Sequence, residues 1–96
     1  MSKVTVVAKL TFQADAIDRV TPELSKLVTA TRAEEGCIEY RLYQDNDDPS
    51  VFIFYENWEN MACLDRHLNS DHFTSYVAAV GHLITERVLN KLSEVG

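Results

Sequence analysis

The sequence predicts an α+β domain on the ferredoxin-like plan, β-α-β-β-α(α)-β, with helices packed on one face of an antiparallel sheet. Three observations carry this. Apolar residues alternate over residues 3–12, they recur at helical spacing from Ile17 to Thr31, and two further strand-like segments joined by a polar turn precede a second helical region.

In the first segment Val4, Val6, Ala8, Leu10 and Phe12 share one face while Lys3, Thr5, Lys9 and Thr11 take the other, the period of a strand. Asp15 is placed to cap the helix that follows. Its apolar stripe is Ile17, Val20, Leu24, Leu27, Val28 and Thr31, and Gly36 supplies the stop. Thr21-Pro22 interrupts the stripe, so this helix either kinks or restarts with Thr21 as its cap. Residues 37–45 alternate again, Ile38, Tyr40 and Leu42 against Glu39, Arg41 and Tyr43, and "QDNDDPS" turns the chain into a third strand over 51–58, giving a hairpin. Met61, Leu64 and Leu68 mark a short helix. The "NSD" run breaks it and offers a new cap, Asp71, for a helix carrying Phe73, Tyr76, Val77, Val80, Leu83 and Ile84. Residues 87–95 are assigned a fourth strand although their alternation is poor.

Ninety-six residues with 46% apolar content read as a single domain spanning 1–96. Fifteen acidic against nine basic residues give a formal charge of −6, and the bases are scattered singly, so nucleic acid is not an expected partner. Apolar runs reach only five residues, which excludes a membrane-spanning helix, and "MSKVTVVAKL" lacks the pattern of a signal peptide. A cytoplasmic location is expected. Cys37 and Cys63 form neither a CxxC motif nor a disulfide framework and read as part-buried thiols. The third strand is apolar on both faces, Phe52, Phe54 and Trp58 on one and Val51, Ile53 and Tyr55 on the other, so helices alone cannot cover it. A homodimer with sheets packed face to face is the expected cover.

Chemistry concentrates in "YENWENMACLDRHLNSDHF", residues 55–73. His72 has an ordinary pKa near neutrality, suited to proton abstraction, although a helix N-terminus disfavours its charged form. Glu56 shares a strand face with Phe52, Phe54 and Trp58 and needs a partner there, a role that orienting a histidine would fill. Trp58 and Phe73 offer flat surfaces for a ring, while Asn57 and Arg41 are looser candidates for holding an anion, since period two puts Asn57 opposite Trp58. Plainer roles fit the same residues: Trp58 as a core or interface residue, His72 as a first-turn surface residue beside Asp71, His67 as a flank of Leu68. Cys63 and His67 stand four apart on one helical face near His72, but a zinc site needs three or four ligands and no metal is expected. The "DNDD" run lacks the glycine and closing glutamate of a calcium loop.

In order and spacing, "VTVVAKL", "TRAEEGCIEYRLYQD", "FYENWEN" and "HLNSDHF" together resemble the antibiotic biosynthesis monooxygenase (ABM) family of dimeric α+β barrel proteins, which includes small quinol monooxygenases. The resemblance extends over nearly the whole chain, and its more specific part is "ENW" followed by His67 nine residues beyond Trp58, then His72-Phe73. It implies an oxygenase that uses no flavin, haem or metal, hence no cofactor. Triplet dioxygen must first receive one electron from the substrate, and quinol, phenolate and enolate anions can give it, so the protein supplies a base, a dry aromatic pocket and a hold on the anion. On this resemblance His72 is the general base, with His67 and Glu56 beside it, and Trp58, Phe73, Phe54, Asn57 and Arg41 bind the substrate.

The haem-degrading branch of the superfamily is disfavoured, because the resemblance would ask for tryptophan at His67 and histidine at Val77. Two other readings stay open. One is an isomerase that moves a proton on a small hydroxy-ketone, like the ABM-like enzyme that processes phosphorylated autoinducer-2, with Arg66 and Arg41 the nearest candidates for its phosphate. The other is a non-catalytic dimeric binding module for small aromatic metabolites.

Overall fold

A computed structural model describes residues 3–96. Strands β1 (Val4–Phe12), β2 (Cys37–Gln44), β3 (Val51–Trp58) and β4 (Ile84–Leu92) form one antiparallel sheet in the order β2-β3-β1-β4. Helices α1 (Ile17–Arg32), α2 (Met61–Leu68) and α3 (Asp71–Val80) connect them in the ferredoxin-like order. The period of β1 sends Val6, Ala8, Leu10 and Phe12 into the core, where they meet Val20, Leu24 and Leu27 of α1. Leu24 is fully enclosed, so its truncation to alanine costs about 2–5 kcal/mol.

The structure departs from the sequence expectations at several element ends. Asp15 lies inside a 3₁₀ turn, Ala14–Ala16, and no side chain caps α1. That helix runs unbroken through Pro22, which falls near its start and forfeits a single backbone bond, while Thr21 Oγ1 donates back to the Ile17 carbonyl at 2.8 Å. In β2 the register shifts between Cys37, opposite Trp58, and Glu39, opposite Asn57. Ile38 is therefore the extra residue of a bulge, and its side chain is 53% exposed instead of joining Tyr40 in the core. Ser70, not Asp71, caps α3, accepting the Phe73 N–H. Leu83 and Ile84 leave that helix for a 3₁₀ turn and for β4, which begins three residues earlier than residue 87 and ends at Leu92.

The opposite face of the sheet presents Thr5, Val7, Lys9 and Thr11 of β1, with Ile53 and Tyr55 of β3 half-buried beside them. No helix among the described residues is long and apolar enough to cross a membrane.

Candidate active site

Three short-range features deliver three side chains to one point. Gly36 adopts φ 86° in the turn after α1, and a Cβ there would run into the Cys63 side chain, so the glycine lets α2 approach this turn. Asn60 fixes the start of α2 by accepting the Cys63 N–H at 3.0 Å, which places His67 in its last turn, facing inward and 1% exposed. Ser70 fixes the start of α3, where His72 is the second residue. Both imidazoles converge on Glu34, in the turn after α1: His67 Nδ1 lies 2.7 Å and His72 Nε2 2.6 Å from the same oxygen, Oε2. A carboxylate accepts and does not donate, so both of these nitrogens carry the proton. His67 Nε2 is left with a free lone pair.

His67 forms part of the wall of a cavity of about 390 Å³ between the helices and the sheet, to which all four strands and all three helices contribute. The lining is mainly apolar, with Ala8, Leu10, Phe54, Leu64, Phe73 and Leu89 among its members. Glu56, His67, Tyr40 and Tyr76 supply polar groups, and Arg87, Lys91 and His82 lie where the lining meets the exposed strand β4 and the turn before it. Behind this wall the Trp58 ring packs on His67 at 4.8 Å, and its Nε1–H donates to Glu56 Oε1 at 2.9 Å.

Burial pushes the Glu56 carboxyl up to about 7, the Trp58 N–H pulls it partly back and the charge of Glu34 adds to the rise. Burial holds His67 below its ordinary value, with Glu34 opposing, so its imidazole is neutral at pH 7. Burial also lifts the Tyr76 hydroxyl to about 12, and it drives Tyr40 upward with a further push from Glu56. An apolar chamber thus holds a neutral imidazole acceptor and a carboxyl poised to give or take a proton near neutrality.

Of the residues singled out from the sequence, His67, Glu56, Phe54 and Phe73 meet in this lining. His72 stands behind His67, joined to the cavity only through Glu34. Trp58 is fully buried as support and does not line the cavity. Glu56 does not orient a histidine; its partner is Trp58. Asn57 and Arg41 point to the opposite sheet face, where both bind Glu39, at 2.8 and 2.6 Å. Cys63 accepts from Arg66 instead of joining the histidines.

Glu34 was missed by sequence reasoning, yet it left a trace. It follows the C-terminus of α1, where the helix dipole favours cations, so an acid there implied a compensating partner elsewhere. Tyr40 and Tyr76 read only as core residues, and the cations of β4 had no readable period.

The antibiotic biosynthesis monooxygenase family model matches residues 3–79. The chain is 37% identical over 87 residues to a Mycobacterium tuberculosis protein named "Putative monooxygenase Rv0793", spanning 91% of this chain and 85% of that one. It is 32% identical over 75 residues to the Bacillus subtilis "Putative monooxygenase YcnE", spanning 75% and 79% of the two chains. A crystal structure described as an antibiotic biosynthesis monooxygenase superposes with a TM-score of 0.93 at 33% identity, over 97% of this chain and 99% of the other.

Proposed function

This chain belongs to the antibiotic biosynthesis monooxygenase family, and on that premise we propose that it is a monooxygenase-like enzyme that oxidises a quinol or another electron-rich cyclic phenol or enol with O2, drawing the electrons from the substrate itself. The observation that carries this is His67, held by Glu34 through Nδ1 and set in the wall of an apolar cavity with Nε2 free. The base is His67 in this reading, and His72 positions it through Glu34. His67 Nε2 takes the substrate proton, the anion passes one electron to O2, and the radical pair joins at carbon as a peroxide. Glu56 protonates the peroxide, and its carboxylate then takes the remaining C–H proton as the O–O bond breaks; the departing hydroxide leaves as water with the proton held by His67, and a carbonyl remains. For a ring methylene the balance is CH2 + O2 → C=O + H2O.

Oxygen uptake by chelator-treated protein, with reduced naphthoquinols and anthrones and correction for autoxidation, tests the reading. Uptake lost in His67→Ala and only reduced in His72→Ala supports it. Uptake no faster than autoxidation across the panel removes it.

A proton-transfer isomerase is a second reading, favoured by Arg87 and Lys91 in the lining. These suit a phosphate better than Arg41 and Arg66, which lie elsewhere. Solvent deuterium entering a phosphorylated hydroxy-ketone without oxygen uptake would select it. A binding module would give a bound ring and neither activity.

We also propose a homodimer through the bare sheet face, where Val7, Ile53 and Tyr55 remain half-buried and Val88 and Leu92 are each 44% exposed. A monomer at micromolar concentration by light scattering would remove that proposal.

A further inference from the structure

We propose that Glu34, His67 and His72 bind one first-row divalent ion, with Zn2+ the best match, and that its binding converts His67 from a proton acceptor into a proton donor at the cavity wall.

The donor atoms of these three residues lie within 4.8 Å of one another. Two imidazole nitrogens and one carboxylate oxygen are a recurrent three-residue zinc set, completed by water in a tetrahedron. At metal–ligand lengths near 2.1 Å the ligand atoms of such a tetrahedron stand about 3.4 Å apart. The two nitrogens now sit 2.7 and 2.6 Å from Glu34 Oε2, so they must draw back from it by about 0.7–0.8 Å, as metal bonds of that length require. Rotation of partly exposed side chains supplies this. The Glu34 and His72 side chains are 14% and 27% exposed against 2% for His67, which opens the cluster to solvent on the side away from the cavity. Among the described residues no lysine or arginine pairs with Glu34; its only ion-pair partners are the two histidines. Arg66, the cation on the same helix as His67, is engaged by Cys63 at 3.3 Å and by Glu35 at 3.8 Å. The carboxylate charge is thus free to meet a dication.

Neither Glu34 nor His72 lines the cavity, so the ion would sit behind His67, out of reach of a substrate. Its effect passes through the ring. A metal on Nδ1 takes that lone pair, and the single proton of the neutral imidazole moves to Nε2. Nε2 then donates and cannot accept. Bound metal switches off base chemistry at His67, and a chelator restores it. The inhibitory consequence rests on the proposed function; the binding and the tautomer change do not.

The test uses the full chain after chelator treatment. Co2+ is titrated while its visible d–d absorption is followed, Zn2+ is titrated by calorimetry, and wild type is compared with Glu34→Gln, His72→Ala and the control His82→Ala. The expected result is one ion per chain, weakened at least about 100-fold in the first two variants, since loss of an outer-shell partner alone costs about 10–100-fold, and unchanged in the control. No binding, or undiminished binding in His72→Ala, overturns the site. Should Glu34→Gln fail to fold by circular dichroism, the more exposed His72→Ala decides. Nitrogen-15 spectra of the His67 ring settle the tautomer: Zn2+ must convert Nε2 from unprotonated to protonated, and an unchanged Nε2 overturns the switch. Metal binding with no oxygen uptake under any condition would end the oxygenase reading and leave the site standing.

Discussion

Trp58 packs on His67 with ring centroids 4.8 Å apart and planes at 35°, while its N–H reaches Glu56 at 2.9 Å. One buried indole therefore supports the imidazole and tethers the carboxyl. Trp58→Phe keeps the stacking surface and removes the tether. Because that hydrogen bond lowers the Glu56 pKa, its loss must raise the value above about 7. Carbon-13 titration of the Glu56 carboxyl measures this, with a stability loss of about 1–3 kcal/mol as the accompanying cost.

Glu56→Gln separates stability from activity. The folded pKa of about 7 lies above the ordinary 4.5, so the native state binds the proton more tightly than the unfolded chain. Stability is full below pH 4.5 and falls as pH rises toward 7, by up to about 3 kcal/mol at 1.36 kcal/mol per unit. Glutamine stays neutral and still accepts the Trp58 N–H. Its melting temperature should match wild type at pH 4 and exceed it by roughly 12–24 °C at pH 8, while turnover falls. An equal shift at both pH values would mean that the carboxyl is not desolvated as described.

Glu34→Gln should slow turnover by about 10²–10⁴-fold through loss of the orienting carboxylate. Glu34 raises the His67 pKa against the effect of burial, so its removal lowers that pKa further. A base works above its pKa, and the acidic limb of the rate profile must therefore move to lower pH. Movement toward higher pH would contradict the assignment of His67 as base.

Gly36→Ala should destabilise the fold by about 2 kcal/mol or more, since a left-handed backbone position alone costs a residue with Cβ about 1–2 kcal/mol and the added carbon strikes Cys63. Urea denaturation measures it. Gly81→Ala, where φ is not positive and the nearest contact is Val77 at 3.2 Å, should cost less.

The fold was legible wherever burial imposed a period. Strands β1 and β3 sit in the middle of the sheet; β1 alternates, and β3 is apolar on both faces, so both were readable as strands. β4 lies at an edge with all but its first residue exposed, so nothing enforced alternation and its bounds were misjudged. The bulge at Ile38 changes the register without a glycine to announce it. The site was half legible. His67 and Glu56 stand near each other in the sequence, whereas Glu34 precedes His67 by 33 positions and meets it only through packing. The preference for His72 as base rested on its ordinary pKa near neutrality and on the family resemblance, neither of which says which imidazole lines the cavity.

The sheet order sets a condition on synthesis. β1 is flanked by β3 and by β4, the latest of the four strands in chain order. It leaves the ribosome with an apolar face and two open edges, and its second edge waits for Ile84–Leu92. At about 5–20 residues per second the delay is roughly 4–14 s. Throughout that interval the nascent chain is a ligand for any chaperone that reads exposed strand.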